Sequence, residues 1–314
     1  MFNELTFWIV FAIIACIIIF IDLYATGHRQ DKLDLKRSLI WSGVWISTAL
    51  LFNIFIYFFA ENGHVKGLEF LTGYLIEYSL SVDNLFVFLM IFSVMNISQK
   101  NQPLVLKWGI LSAIVFRIVF ILAGVSLINL FHPIIYIFGI ILLFAAYKMA
   151  FGGEEKIDYE NNPLIKLLKR FFNILPEYSG KKFFVKREGK IFATSLLLTL
   201  LLIESSDIIF ALDSIPAVIA ITRDPMIIIT SNIFAVLGLR ALYFSISGIV
   251  NMFYYLKYGV SIILLFVGIK MMTSEFFNIP THLSLVIIVV CLAASIILSL
   301  FHKKTGSSSN RINE

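Results

Sequence analysis

Charge is scarce in this chain. Only 14% of its 314 residues are Asp, Glu, Lys or Arg and 59% are hydrophobic, whereas soluble domains run near 25% and 45–50%. Mean hydropathy is +0.91. There is too little polar surface here to coat a molecule of this size in water, which excludes an ordinary soluble domain. Cysteine is nearly absent: Cys16 and Cys291 lie inside apolar runs near opposite chain ends, which argues against a disulfide framework and a thiolate metal site. No nucleotide-binding glycine motif and no nucleophile–base pair is visible, so an enzyme is not expected, nor is a resident cofactor. The net charge of +5 and pI near 9.1 do not call for a nucleic-acid partner, because the placement of the basic residues has a simpler reason.

What the chain has is long apolar runs. Each is close to the roughly 20 residues that cross about 30 Å of hydrocarbon. They fall near 5–24, 39–60, 68–95, 104–128, 132–151, 191–220, 225–247, 254–273 and 282–301. The expectation is an all-α, polytopic membrane protein with about nine transmembrane helices and the lipid bilayer as its solvent. The first run lacks a small-residue cleavage site and passes into Gly27-His28-Arg29, so it reads as a retained helix. The third and sixth runs are longer than a crossing needs, which predicts tilting or a broken helix. With the N-terminus outside, twenty of the 25 lysines and arginines fall on the inner side, three fall outside, and Arg117 and Arg240 lie within spans. The positive-inside rule then puts the C-terminus in the cytoplasm, as expected of a multi-pass protein of a cell (inner) membrane. The loop 152–190 is the one sizeable polar segment and is expected to carry short amphipathic helices such as Leu164 to Phe172. The tail from Thr305, with Ser307-Ser308-Ser309, reads as disordered.

An internal repeat organises the runs. Glu77 and Asp83 are six residues apart, as are Asp207 and Asp213. Arg117 answers to Arg240, and Ile141–Met149 matches Ile263–Met271 at six of nine positions. Three matches in one order, at nearly constant offset, indicate duplication. Spans three to five (67–151) resemble spans six to eight (191–273), flanked by two leading spans (1–66) and a last span with its tail (274–314). Three is odd, so the copies enter the membrane from opposite sides, as in the inverted repeats of secondary transporters.

The chemistry sits in intramembrane acids. Glu77 and Asp83 lie in span three; Glu204, Asp207 and Asp213 lie in span six. One ionised side chain at a bilayer centre costs about 2.5–3.5 kcal/mol even on lenient scales. Five acids outnumber the two arginines, so the excess must carry protons or bind a cation. Antiparallel spans three and six would set Glu77 at the depth of Asp213 and Asp83 at that of Asp207. On a regular helix Asp207 and Asp213 point about 120° apart, and Pro216 is the expected cause of an interruption that would let both face one cavity. Span three has no proline; Ser79, Ser81 and Asn84 are its polar company, and Ser214 follows Asp213. Carboxylate, hydroxyl, amide and carbonyl oxygens suit Mg²⁺, Ca²⁺ or Mn²⁺. The five histidines, at 28, 64, 132, 282 and 302, sit at span ends or loops and do not join the set.

Several segments carry a resemblance. Gly73-Tyr-Leu-Ile-Glu-Tyr-Ser-Leu-Ser-Val-Asp-Asn84 and Glu204-Ser-Ser-Asp-Ile-Ile-Phe-Ala-Leu-Asp-Ser-Ile-Pro-Ala217 resemble the signatures of the TerC family. So do Asp224-Pro225, Thr230–Phe244 and Leu256-Lys-Tyr-Gly259, and the likeness covers about Trp41 to Met272. The family was named for tellurite resistance, and members are associated with manganese export. The resemblance implies a metal site of Glu77, Asp83, Glu204, Asp207 and Asp213, with Asn84, Ser214, Arg117 and Arg240 in support. The function expected is export of a divalent cation, Mn²⁺ first, with protons as the coupling ion. The alternatives are an oxyanion or tellurium-linked role through the arginines, and a membrane assembly scaffold acting through the 152–190 loop. Oligomeric state is not legible in the sequence.

Overall fold

The structure is a computed structural model that describes residues 3–24, 35–131, 133–151, 165–166, 173–175, 182–187, 190–246, 255–274, 276–277 and 279–309. The side chains of Asp83, Asp213 and Arg240 lie outside the described set, although their backbones are helical.

Each apolar run carries helix among its described residues. In chain order these are α1 (Glu4–Tyr24), α2 (Leu35–Phe59), α3 (Gly63–Val94), α4 (Gln102–Leu130) and α5 (Ile134–Phe151). After the polar loop come α6 (Ser195–Ile219), α7 (Pro225–Leu237), α8 (Leu239–Ile246), α9 (Leu256–Met272) and α10 (Thr281–Ser309). Six helices of the described residues are long and apolar enough to cross a membrane by length and composition alone. The 32 residues of α3 reach about 48 Å at 1.5 Å per residue, more than one bilayer core. The outward faces are apolar: on α1, Leu5, Ile9, Ile13, Ile17 and Phe20 are exposed while Phe7, Phe11 and Ile18 are buried. An exposed greasy stripe of that kind is stable only against lipid or another protein. The chain is thus an all-α polytopic membrane protein.

Helix ends and breaks differ from expectation at three places. The sixth helix starts at Ser195, not 191, because Lys190–Thr194 is a strand, β3. It pairs in parallel with β1 (Asn173–Leu175, Asn173 opposite Phe192) and antiparallel with β2 (Phe184–Arg187, Phe184 opposite Ala193). β-branched and aromatic Ile191, Phe192 and Thr194 suit an extended segment better than a helix. The predicted amphipathic helix at 164–172 lies outside the described residues apart from Ile165 and Lys166, which are helical. Secondly, α6 runs unbroken through Asp213 and Pro216. The proline removes one hydrogen bond, yet Ala217, Val218 and Ile219 are fully buried and their packing holds the last turn in place. Nor is α3 interrupted. The break falls instead in the seventh run, where Gly238 separates α7 from α8. The last helix reaches Ser309, further into the tail than its apolar run.

Packing directions follow from close glycine approaches. A Cβ on Gly73 of α3 would lie 3.0 Å from Val218 of α6 and from Ser231 of α7. A Cβ on Gly109 would meet Ile203 and Glu204, and one on Gly124 would meet Ile215 and Ile219. So α4 runs parallel to α6, and α3 runs antiparallel to both. At the centre, α7 is buried from Met226 to Leu237; a helix apolar all round belongs inside a bundle. Its start is set by Pro225 and by Asp224, whose carboxylate accepts from the Met226 N–H at 2.9 Å.

The α5–α9 pair brings the repeated Ile141–Met149 and Ile263–Met271 segments together. Gly139 faces Gly268, with 3.2 Å from a Gly268 Cβ to the Gly139 carbonyl oxygen. The Ser261 hydroxyl donates to the Ala146 carbonyl at 2.7 Å. Under the repeat offset Gly139 corresponds to Ser261 and Ala146 to Gly268, so exchanging the two copies turns one contact into the other.

Candidate functional site

Among the described residues, the centre of the bundle holds one fully buried guanidinium. Arg117, in the middle of α4, is 0% exposed. Its Nη1 pairs with the Glu77 carboxylate of α3 and donates to Asn232 Oδ1 of α7 at 3.1 Å. Its Nη2 lies 3.2 Å from Asp207 Oδ1 of α6. One side chain therefore ties four helices together. It is held there because a guanidinium in a hydrocarbon slab must find acids, and these are the acids facing it.

The antiparallel register explains the geometry. Gly73 opposite Val218 sets Glu77 at the level of Asp213 and Ser214, and Asp83 near that of Asp207, as the sequence predicted. Arg117 lies between the two levels and bridges them, so Glu77 and Asp207 meet through it. The side chains of Asp83, Asp213 and Arg240 lie outside the described residues, and the expected five-acid cluster is described only in part. Glu204 is buried and turned elsewhere: its Oε1 accepts from Ser112 of α4 at 2.5 Å. Among the described residues, no three Asp, Glu, His or Cys side chains converge to hold a metal ion. A cation does occupy the space between Glu77 and Asp207, but it is the protein's own.

Unused polar atoms surround this pair. Glu77 Oε2, Ser81 Oγ, Ser214 Oγ, Glu204 Oε2, Arg117 Nε and Asn232 Nδ2 are buried and find no hydrogen-bond partner among the described residues. Leaving a buried polar atom unsatisfied costs about 1–3 kcal/mol. Ser81 is one turn from Glu77 on the same helix face, and the register puts Ser214 opposite, so three orphan oxygens come from one neighbourhood. Asn84 is buried one turn further on. The supply of oxygen donors suits a hard cation, water or a proton. Three acids against one arginine, among described side chains, leave negative charge that some mobile positive species must neutralise.

Asn232 and Ser112 were not singled out from the sequence. Asn232 carried a usable signal, a lone amide inside the apolar run 225–247. Ser112 did not, since serine is common within membrane helices.

Buried acids tied to an intramembrane arginine, in a bundle of apolar helices, define a polytopic membrane protein with a charged core. The model of the integral membrane protein TerC family matches residues 62–307, and the chain belongs to that family. It is 40% identical over 311 residues, 97% of each chain, to a protein of Photorhabdus laumondii named "Putative membrane-bound redox modulator Alx". A protein of Escherichia coli K12 bearing the same name is 42% identical over 299 residues, 93% of each chain. An "Uncharacterized membrane protein STKORF319" of Myxococcus xanthus is 42% identical over 303 residues, 96% of this chain and 94% of that one. No solved structure matches.

Proposed function

We propose that this protein exports a divalent cation, Mn²⁺ before Mg²⁺ or Ca²⁺, in exchange for protons across a cytoplasmic-type membrane. One observation carries the reading: Arg117 lies between Glu77 and Asp207, with 3.2 Å to Asp207, while nearby buried oxygens stay unpartnered. The arginine acts as a stand-in cation that keeps two acids from repelling each other when no metal is bound. An arriving ion takes the carboxylates of Glu77 and Asp207, with Asp83, Asp213 and Glu204 adding charge and Asn84, Ser81 and Ser214 adding neutral oxygens. Arg117 then turns to a remaining acid, and the displaced protons leave to the side from which the metal came; once the metal has departed on the far side, protons from that side reload the acids. Arg240, at the equivalent place in the second repeat, does the same there. The N-terminus faces out and the C-terminus faces the cytoplasm. The protein is not an enzyme in this reading and needs no resident cofactor.

The oxyanion alternative is the weaker one. Both terminal nitrogens of Arg117 are already engaged by Glu77, Asp207 and Asn232, and an anion entering there would face excess negative charge. The redox role in the relatives' name finds no thiol pair here, because Cys16 and Cys291 are both free. A scaffold acting through the 152–190 loop would be indifferent to the buried acids.

The test is cellular manganese content under manganese excess in cells with the protein, without it, and with Asp207→Asn at equal membrane abundance. Lower manganese only with the wild-type protein is the expected result. Equal manganese in all three would end the transport reading, and tellurite resistance lost without any manganese change would favour the oxyanion alternative.

A further inference from the structure

We propose that the turn between α3 and α4 is the mouth of the route to Asp207, and that the Phe92–Tyr243 ring pair is its gate. A cavity of about 500 Å³ opens at that end of the bundle, where polar Ser93, Asn96, Gln99 and Gln102 share the wall with apolar Leu89 and Ile97. A second, much smaller cavity of about 10 Å³ lies deeper; Phe88, Leu106, Ala113, Leu239 and Asp207 are among its walls. It has room for one water at most.

The two cavities are stacked one helical turn apart. Three helices each give a residue to both: Phe92 and Phe88 on α3, Gln102 and Leu106 on α4, Tyr243 and Leu239 on α8. Each pair is four residues apart, so its members stand one above the other about 5.4 Å apart along the axis. Going inward, Gln102 gives way to Leu106 and Tyr243 to Leu239 while Phe92 is followed by Phe88, and the apolar section ends at Asp207. What separates the cavities is the contact of the Phe92 and Tyr243 rings, edge to face with centroids 5.7 Å apart. The Tyr243 hydroxyl donates to Gln102 Oε1 at 2.9 Å, and the Gln102 amide donates to the Ile97 carbonyl at 3.2 Å. The gate ring is thereby latched to the wall of the outer chamber.

This arrangement suits a small hydrated cation. Neutral hydroxyl and amide oxygens in the outer chamber take over part of a hydration shell without binding tightly. The dry section beneath excludes ions until the ring moves, as hydrophobic constrictions do in channels. Its purpose rests on the transport reading above; its geometry does not, and the two are tested separately.

Replace Cys16 and Cys291 by alanine, introduce Ala113→Cys in the deep cavity, and purify the full chain in detergent. The readout is the rate of reaction with a cationic methanethiosulfonate. Ser93→Cys, in the exposed chamber, serves as the control. Reaction at position 113 is expected to be slow with native rings and at least about tenfold faster in Phe92→Ala, which removes the plug. Tyr243→Phe deletes one oxygen and is expected to raise the rate about fivefold, the effect of losing one ordinary hydrogen bond from the closed state. Phe92→Leu, which keeps the bulk, stays near wild type, and Ser93→Cys reacts at one rate throughout. An unchanged rate at 113 in Phe92→Ala with a normal control overturns the gate. If Phe92→Ala fails to fold, an unchanged rate in Tyr243→Phe overturns it instead. Faster labelling with no manganese phenotype would leave the gate standing and remove the transport reading.

Discussion

The two ends of the charged core are built differently. Where α3 passes into α4, the turn carries Asn96 with a left-handed φ of 50°, and neutral side chains line an open chamber. Its counterpart under the repeat is the passage from α6 into α7, and that end is tied across by an ion pair and a hydrogen bond. Lys66 Nζ lies 2.8 Å from Asp224 Oδ2, and Thr222 donates to Glu69 Oε2 at 2.8 Å. Near this end α3 also approaches α6 and α7 tightly at Gly73, where a Cβ would lie 3.0 Å from Val218 and Ser231. Under the repeat inferred from the sequence, these two passages are one plan in two forms. In an inverted repeat, interchanging those forms would close the open end and open the closed one, which is how alternating access arises from duplication.

The largest expected effect lies between the ends. Arg117→Gln leaves Glu77 and Asp207 buried without their shared partner, and breaking a buried pair from one side costs about 3–5 kcal/mol. A clear fall in thermal stability in detergent is expected, together with loss of export. Adding Glu77→Gln removes one stranded charge, so the double variant should be more stable than Arg117→Gln alone. A double variant as unstable as the sum of the two singles would mean that the pair does not couple. Asp83→Asn and Asp213→Asn, at matched abundance, should each abolish export, because the repeat gives them one role. Normal export from one alone would make the two halves unequal in function as well as in form.

A matched pair of glycines probes the ends themselves. A Cβ at Gly73 would come within 3.0 Å of Ser231 Oγ and Val218 Cγ1, so Gly73→Ala forces the tight end apart. Overpacking of that kind costs about 1–3 kcal/mol. At Gly109, on the open side, the nearest atom is at 3.5 Å, an ordinary contact. Gly109→Ala should therefore be neutral, or stabilising by about 0.5–1 kcal/mol from helix propensity. Thermal unfolding of the two variants tests the contrast. Equal destabilisation would mean that the ends are packed alike.

How much of this was legible beforehand follows from the physics of each signal. Apolar runs declare helices in a membrane because nothing else satisfies the backbone there, and six helices of the described residues are long and apolar enough to cross one. The antiparallel register of α3 and α6 was also readable, since opposed entry fixes which acids share a depth. Pro216 misled. It weakens a helix only by what its neighbours fail to restore, and buried Ala217, Val218 and Ile219 are a tertiary fact. The strand Lys190–Thr194 was hidden because five residues beside a long apolar run look like part of it. The Glu77–Arg117–Asp207 bridge was anticipated as a pairing of acids with an arginine. Which acids, and that Glu204 would turn to Ser112 instead, depends on side-chain directions that spacing alone does not supply. The Phe92–Tyr243 pair joins residues 151 apart in the chain, and an aromatic in an apolar run carries no mark of a gate.

The smallest effect is expected at the closed end's surface. Lys66 precedes the third apolar run and pairs with Asp224, their side chains 28% and 23% exposed. Pairs this open contribute about 0–1 kcal/mol. Asp224 has a second task, accepting from the Met226 N–H as the cap of α7, and a lost cap costs about 1 kcal/mol. Asp224→Ala should therefore destabilise more than Lys66→Gln, and Asp224→Ser, which keeps a capping oxygen, should fall between them. The pH dependence separates pair from cap. Partial burial alone would lower the Lys66 ammonium, but the bond to Asp224 and the surrounding acid charges outweigh it and hold its pKa above the ordinary 10.5. A group raised on folding contributes stability below its unfolded pKa and loses it as pH rises through the folded one. The deficit of Lys66→Gln against wild type should thus be constant from pH 6 to 9, taken as about the range below titration, and should shrink as Lys66 deprotonates. The part of the Asp224→Ala deficit that belongs to the cap does not shrink over that range. Unfolding temperatures of the three variants at neutral and strongly alkaline pH measure both parts. If the Lys66→Gln deficit persisted undiminished at alkaline pH, the lysine would be acting through packing of its stem, and charge would not be what ties this end together.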